Sequence, residues 1–264
     1  MDVLKGFFLP KSRGSLLRES FVGFQALVSF SLVVCILIII DQVNFVNKKD
    51  LGINIEKTLV VRTPDVVTGN EYLSSLSTYK KALLQDSRII SVTATVDSPG
   101  KQVEWIGGTR KIGAPQEEIS TLYRSVIDED FVNSFGANIV SGKMFSFNQS
   151  DHDVILNRSA LLSLQFQSAE ESIDQNLLIG NDTFHVIGVV EDFHQLSPRE
   201  AVAPTVYHYK LESPRLFMIK YEGNNNPEVV KLAGDLFSQI FHNAPFDYYF
   251  LDNFLMHNMN KKEG

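Results

Sequence analysis

FVGFQALVSFSLVVCILIII, residues 21–40, is the stretch that sets the class of this protein. Its twenty residues carry no charge, and fourteen of them are Phe, Val, Leu or Ile. At about 1.5 Å rise per residue, a helix of this length spans about 30 Å, the thickness of a bilayer's hydrocarbon core. Each such apolar residue favours insertion by about 0.3–0.6 kcal/mol, roughly 4–8 kcal/mol together. Gly23, Gln25, Ser29 and Ser31 reduce that sum without reversing it. A buried helix of a soluble protein rarely runs so far without a charged position. A cleaved signal peptide would have an apolar region of about 7–15 residues and a small-residue cleavage site. Asp41-Gln42-Val43 offers no such site. The stretch therefore reads as an uncleaved transmembrane helix.

Flanking charge sets its direction. Lys5, Lys11, Arg13 and Arg18 precede the span, and Lys48, Lys49 and Lys57 follow it. This small excess favours a cytoplasmic N-terminus and an exported bulk. Within the span, Gln25 and Ser29 lie four residues apart on one helical face, a pair suited to packing against another helix in lipid.

The whole chain has 264 residues, 44% of them hydrophobic, and a formal charge of -7. That composition excludes a disordered chain and leaves room for a substantial core. The acidic balance argues against a nucleic-acid partner, which needs a basic face. Cys35, the lone cysteine, rules out an intramolecular disulfide and a cysteine-based zinc cluster.

Beyond the span, Val43, Phe45 and Val46 prolong the apolar stripe, and Gly52 stands where a helix end favours glycine. Residues 41–58 are thus expected to form a helical stalk. Leu59-Val60-Val61 reads as a buried strand, Glu71 to Gln85 as an amphipathic helix, and Ile89 to Val96 as a strand. Leu216–Tyr221, Pro227–Phe241 and Phe246–Leu251 repeat the strand-helix-strand pattern. Two β-α-β units around a long insertion suggest a split, ferredoxin-like sandwich. The insertion, from about Gly100 to Pro204, is strand-rich, with strands at 103–106, 119–127, 153–156, 176–179 and 184–190. Short helices are expected at Glu129–Phe135 and Ser159–Phe166.

Motifs that carry chemistry are scarce. There is no GxxxxGK[ST] loop, no GxGxxG and no GxSxG elbow. Asp151-His152-Asp153 resembles a metal cluster, but consecutive strand residues face opposite sides, so a polar turn is favoured. Asp192-Phe193-His194 has no nucleophile or second carboxylate tied to it and reads as a loop. Three sequons, at Asn148, Asn157 and Asn181, matter only in a eukaryotic secretory route. No catalytic, cofactor-binding or metal-binding residue is expected.

A series of ordered motifs resembles one family. Phe24-Gln25 near the start of the span and Lys49-Asp50-Leu51-Gly52 before the first strand open the series. SVIDEDFVNSFGANIVSGKMFS at 125–146, DVILNRSALLSL at 153–164, VIGVVEDFHQLSPREAVAPTVY at 186–207 and FDYYFLDNF at 246–254 follow. In that order and spacing they resemble ABC-transporter permeases of the FtsX/MacB type, in the long form of Bacteroidetes-like bacteria.

The resemblance implies an α+β chain with one N-terminal transmembrane helix and a two-lobed periplasmic domain. Residues 1–20 would be a cytoplasmic juxtamembrane segment, 21–40 the span and 41–58 the stalk. Residues 59–99 and 205–252 would form a porter-like α/β lobe, and 100–204 an inserted β-rich lobe. Residues 253–264 would begin a return to the membrane. The chain closes at Asn260–Gly264 without a second apolar span, which implies a fragment, a split product or a degenerate permease.

Such permeases are non-enzymatic and relay motion from a separate cytoplasmic ATPase. The implied partners are that ATPase, the remaining permease half or a second copy, a periplasmic adaptor, and inner-membrane lipid. Mechanical roles fall to Asp50 and Gly52 in the stalk, and to Asp192, Phe193 and Asp252 at the junction of the lobes. The alternative is a single-pass periplasmic binding or sensor protein without a transport cycle.

Overall fold

The computed structural model describes residues 13–47, 52–64, 70–101, 103–147, 149–195, 200–209, 215–223, 226–242 and 244–255. They fall in two units that divide between Lys49 and Asp50. The first is helix α1, Arg13–Asn47. Its segment Arg18–Ile40, 23 residues, is long and apolar enough to cross a membrane. Phe21, Phe24, Phe30 and Ile39 on it are exposed.

The second unit holds two sheets. β1 (Thr58–Arg62), α2 (Asn70–Leu83) and β2 (Ile89–Thr95) make its first β-α-β unit. β10 (Leu216–Tyr221), α6 (Asn226–Ile240) and β11 (Tyr248–Phe250) make its last. Their strands interleave in the order β11-β1-β10-β2, every neighbour antiparallel, which is the split β-α-β sandwich.

Side-chain alternation explains why the central strands are apolar throughout. Leu59 and Val61 on β1, with Phe217 and Ile219 on β10, face α2 and α6. There Tyr79 lies edge-on to Phe217, Phe237 and Phe241, and its hydroxyl donates to the Ala233 carbonyl at 3.0 Å. Val60, Leu216 and Met218 face the opposite way, into a second core. A strand covered on both faces has no polar side to alternate with.

Between these halves run β3 (Trp105–Lys111), β4 (Ser120–Val126), α3 (Phe131–Phe135), β5 (Ile139–Gly142), β6 (Asp153–Asn157), α4 (Arg158–Ser163), α5 (Ala169–Ser172), β7 (Asn176–Ile179), β8 (Asp182–Val190) and β9 (Thr205–His208). The strand order is β5-β8-β6-β9-β4-β3-β7, and β7 also pairs with β8. That last pairing closes β8, β6, β9, β4, β3 and β7 into a barrel, with β5 attached outside the ring. Leu122, Val154, Leu156, Leu177, Val186 and Val206 fill it together with α4 side chains.

Two expectations are corrected. The lobe boundary expected between 204 and 205 lies later, because β9 belongs to the barrel, parallel to β4 and antiparallel to β6. Asn157 fixes it there by accepting from the Thr205 amide at 2.8 Å. Of the helical stalk expected over 41–58, residues 41–47 belong to α1 and residues 48–51 lie outside the described residues. Residues 52–57 are not helical: Ile53 is drawn into a core, and the Asn54 amide donates to the Phe135 carbonyl at 2.8 Å.

Candidate functional site

The core between the two sheets holds Phe193, and Gly52 and Asp192, two more of the residues to which sequence assigns mechanical roles, meet at its edge. Val60 and Met218 enter it from the small sheet, Ile155, Ile187 and Tyr207 from the barrel, and Phe131 and Phe135 from α3. Phe193 sits among them, 4% exposed, stacked on Tyr207 at 5.9 Å and tilted against Phe131 at 6.1 Å.

Gly52 meets the same segment. Its φ is +78°, and a Cβ there would lie 2.9 Å from the Asp192 carbonyl oxygen and 3.2 Å from Phe193 Cα. Only glycine allows the chain to pass so close in this conformation. Ile53 then buries its side chain in the same core as Phe193. On its other side, Lys220 donates to the Asn54 carbonyl at 2.8 Å.

The polar members of the 191–195 motif anchor this segment from several directions. Glu191 pairs with Arg158 at 2.6 Å, on the surface. The Asp192 carboxylate accepts from the Ser159 amide at 3.0 Å and the Ser159 hydroxyl at 2.7 Å. It thus meets the first turn of α4, while Asn157 caps the same helix through the Ala160 amide at 2.9 Å. Gln195 donates to the Ser98 carbonyl at 2.9 Å and the Lys101 carbonyl at 3.3 Å. The motif therefore ties the barrel to the loop that leaves β2.

An ionic node joins the lobes elsewhere. Asp128, 2% exposed, accepts from Lys80 at 2.7 Å, from the Ala94 amide at 2.7 Å and from the Thr93 hydroxyl. Lys80 also reaches Asp130 at 2.6 Å. Burial pushes the Asp128 carboxyl above its ordinary range. Burial acts to lower the Lys80 pKa, but Asp128 and Asp130 outweigh it and raise it. The pair fastens α2 and β2 to the turn before α3.

The remaining assigned residues stand apart from this cluster. Gln25 and Ser29 are exposed on α1. Asp50 lies outside the described residues. Asp252 lies in a helical turn over 251–255 and accepts from the Asn253 amide at 2.7 Å. Its flanking Leu251 and Leu255 pack in the core that holds Phe193. His152 and Asp153 turn to different partners, the Thr183 carbonyl at 3.0 Å and His185 at 3.3 Å. Lys80, Asp128 and Gln195 were not singled out by sequence. Asp128 and Gln195 lie inside quoted motifs, whereas Lys80 carried no signal beyond the polar face of α2.

Comparison with known proteins agrees with this architecture. Residues 27–233 match the MacB-like periplasmic core domain family. The periplasmic region of MacB from Actinobacillus actinomycetemcomitans shares the fold, with a TM-score of 0.53 at 16% identity over 81% of this chain and 97% of that one. The extracellular domain of the noncanonic ABC-type transporter YknZ from Gram-positive bacteria is similar, with a TM-score of 0.50 at 13% identity over 72% and 97%. No curated protein matches the chain. With a family match across most of its length, the chain belongs to the MacB-like periplasmic core domain family of ABC transporter permeases.

Proposed function

We propose that this chain is a permease component of an FtsX/MacB-type ABC transport system. It is held in the inner membrane by residues 18–40, with its N-terminus cytoplasmic and the two-sheet domain periplasmic. It carries out no chemistry of its own. A separate cytoplasmic ATPase moves the membrane helices, and the domain passes that motion on for export or for lipoprotein or peptide handling. Gln25 and Ser29 pack against a neighbouring permease helix, from the remaining half or a second copy, and a periplasmic adaptor is a further partner.

The observation that carries this reading is family membership combined with the grip on residues 52–54. This segment is the first described part of the domain after α1. It passes close beside the Asp192 carbonyl on the barrel side and is bonded to α3 by the Asn54–Phe135 hydrogen bond. A pull on it reaches both lobes through one continuous core, since packed interiors transmit displacement rather than absorb it.

The test is co-purification of the tagged chain from gently solubilised native membranes, with partners identified by mass spectrometry. Recovery of an ABC ATPase or of further permease helices supports the reading. A stable, abundant chain recovered with neither overturns it in favour of a single-pass binding protein.

A further inference from the structure

The ends of β1 and β2, the start of β10 and the start of β3 frame an open cleft of about 1030 Å³. This is just above the roughly 300–1,000 Å³ typical of ligand sites. Val96, Val103 and Leu216, all buried, line it with apolar surface. Around them stand Arg62, Lys101, Arg215, Asp97, Glu104 and Asp247, cations and anions in equal number.

These charges are weakly engaged with one another. Arg62 and Asp247 pair at 3.2 Å with both side chains more than half exposed. Arg215 before β10 and Glu104 before β3 face each other across the cleft at 3.8 Å, at the limit of an ion pair. Lys101 lies over the rings of Tyr249 and Phe254, at 5.4 and 5.6 Å. Asp97 accepts from the Ser125 hydroxyl at 3.0 Å. Burial, and then Arg62, hold the Lys101 pKa below its ordinary value, and burial lifts that of Asp97. Both groups bear a desolvation cost that an opposite charge on a ligand would offset.

We propose that this cleft binds a short extended peptide carrying one acidic and one basic side chain around an apolar residue. The balance of charge disfavours a polyanion, which needs a net positive wall. The charged, open mouth disfavours an acyl chain. A peptide of mixed charge places its carboxylate between Arg215 and Lys101, its ammonium toward Asp97, and its apolar side chain on Val103 and Leu216. Its carboxylate competes with Glu104 for Arg215, so occupancy opens the pair that spans the cleft. This inference rests on the permease reading only in facing the cleft toward the periplasm.

The experiment uses the full chain in lipid nanodiscs and a fluorescein-labelled hexapeptide with one Lys, one Asp and a central Leu-Val, read by anisotropy against empty nanodiscs. A capped, uncharged hexapeptide and polyphosphate serve as competitors. We expect saturable binding of the mixed-charge peptide that neither competitor displaces. Arg215→Ala and Lys101→Ala should each weaken it about tenfold, the loss expected for one charge-assisted hydrogen bond, at an unchanged unfolding midpoint. Glu104→Gln should tighten it about threefold by releasing Arg215, a gain that general destabilisation would not give. Absent saturation, equal binding of the uncharged peptide, displacement by polyphosphate, or affinity unmoved by both cation variants overturns the assignment. No ATPase is present, so failure removes this site and leaves the permease reading to its own test.

Discussion

The Lys80 ammonium lies 2.7 Å from the Asp128 carboxylate, joining α2 to the turn before α3 across the boundary between the two lobes. Lys80 keeps 17% of its side chain exposed and Asp128 only 2%, so the carboxylate depends on the lysine far more than the reverse. Removing the lysine leaves a buried charge without its counter-ion. Lys80→Met should therefore cost about 3 kcal/mol of unfolding free energy at pH 8. The variant should recover on acidification. Without Lys80 the folded-state carboxyl rises further above its ordinary 3.8, so the folded state binds the extra proton and stability grows as pH falls. Urea unfolding of the detergent-solubilised chain at pH 5 and pH 8 reads this, and a pH-independent loss would contradict it.

The unsubstituted chain has an alkaline counterpart. Because the folded-state Lys80 pKa is raised, its stabilisation is fully present below the ordinary value of 10.5 and is lost as pH rises through the folded value. The stability difference between the unsubstituted chain and Lys80→Met should shrink above pH 10.5. A constant gap across that range would show that the lysine acts by packing alone.

Phe193 should be the largest single apolar contributor to the junction. Phe193→Ala removes a ring packed against Tyr207 and Phe131, and should cost about 3–5 kcal/mol. Protease susceptibility between the lobes should rise with it. A melt that does not move would remove Phe193 from the junction.

Gly52→Ala tests the close approach. A left-handed backbone costs an alanine about 1–2 kcal/mol, and the added Cβ must also displace the Asp192 carbonyl. If Gly52 passes motion to the barrel, this variant should reduce transport beyond what its loss of stability explains. Transport is compared with the surface variant Lys231→Ala, whose only ion pair among the described residues is the exposed one to Asp235.

Asn157 should matter more than Asp192 to the barrel. Asn157, 1% exposed, accepts from two amides, Ala160 and Thr205, and donates to the Ala203 carbonyl at 2.9 Å. Asn157→Ala should cost about 2–3 kcal/mol through groups left buried without partners. Asp192→Ala should cost about 1 kcal/mol, the usual worth of a helix N-terminal acceptor. Equilibrium unfolding of both variants ranks them, and the reverse order would contradict this account.

The sequence alone determined what depends on neighbours along the chain. The uncharged run at 21–40 needed only its own composition to mark a span. The spacing of Leu76, Tyr79 and Leu83 marked α2, and the alternation of Val92 with Ala94 marked β2. Helix and strand periods are local, and so they can be read from a short window.

Tertiary structure decided what depends on residues brought together from far apart. Thr205–His208 became a barrel strand because Asn157 and β4 hold it there, not because its own composition favours either lobe. Residues 52–54 are non-helical because Ile53 is buried in the shared core and the Asn54 amide bonds to the Phe135 carbonyl, contacts made only in the folded domain. The Lys80–Asp128 pair joins positions 48 apart in sequence, and neither residue alone announces the other. Burial gives such contacts their energy, and burial exists only once both sheets have closed over the shared core.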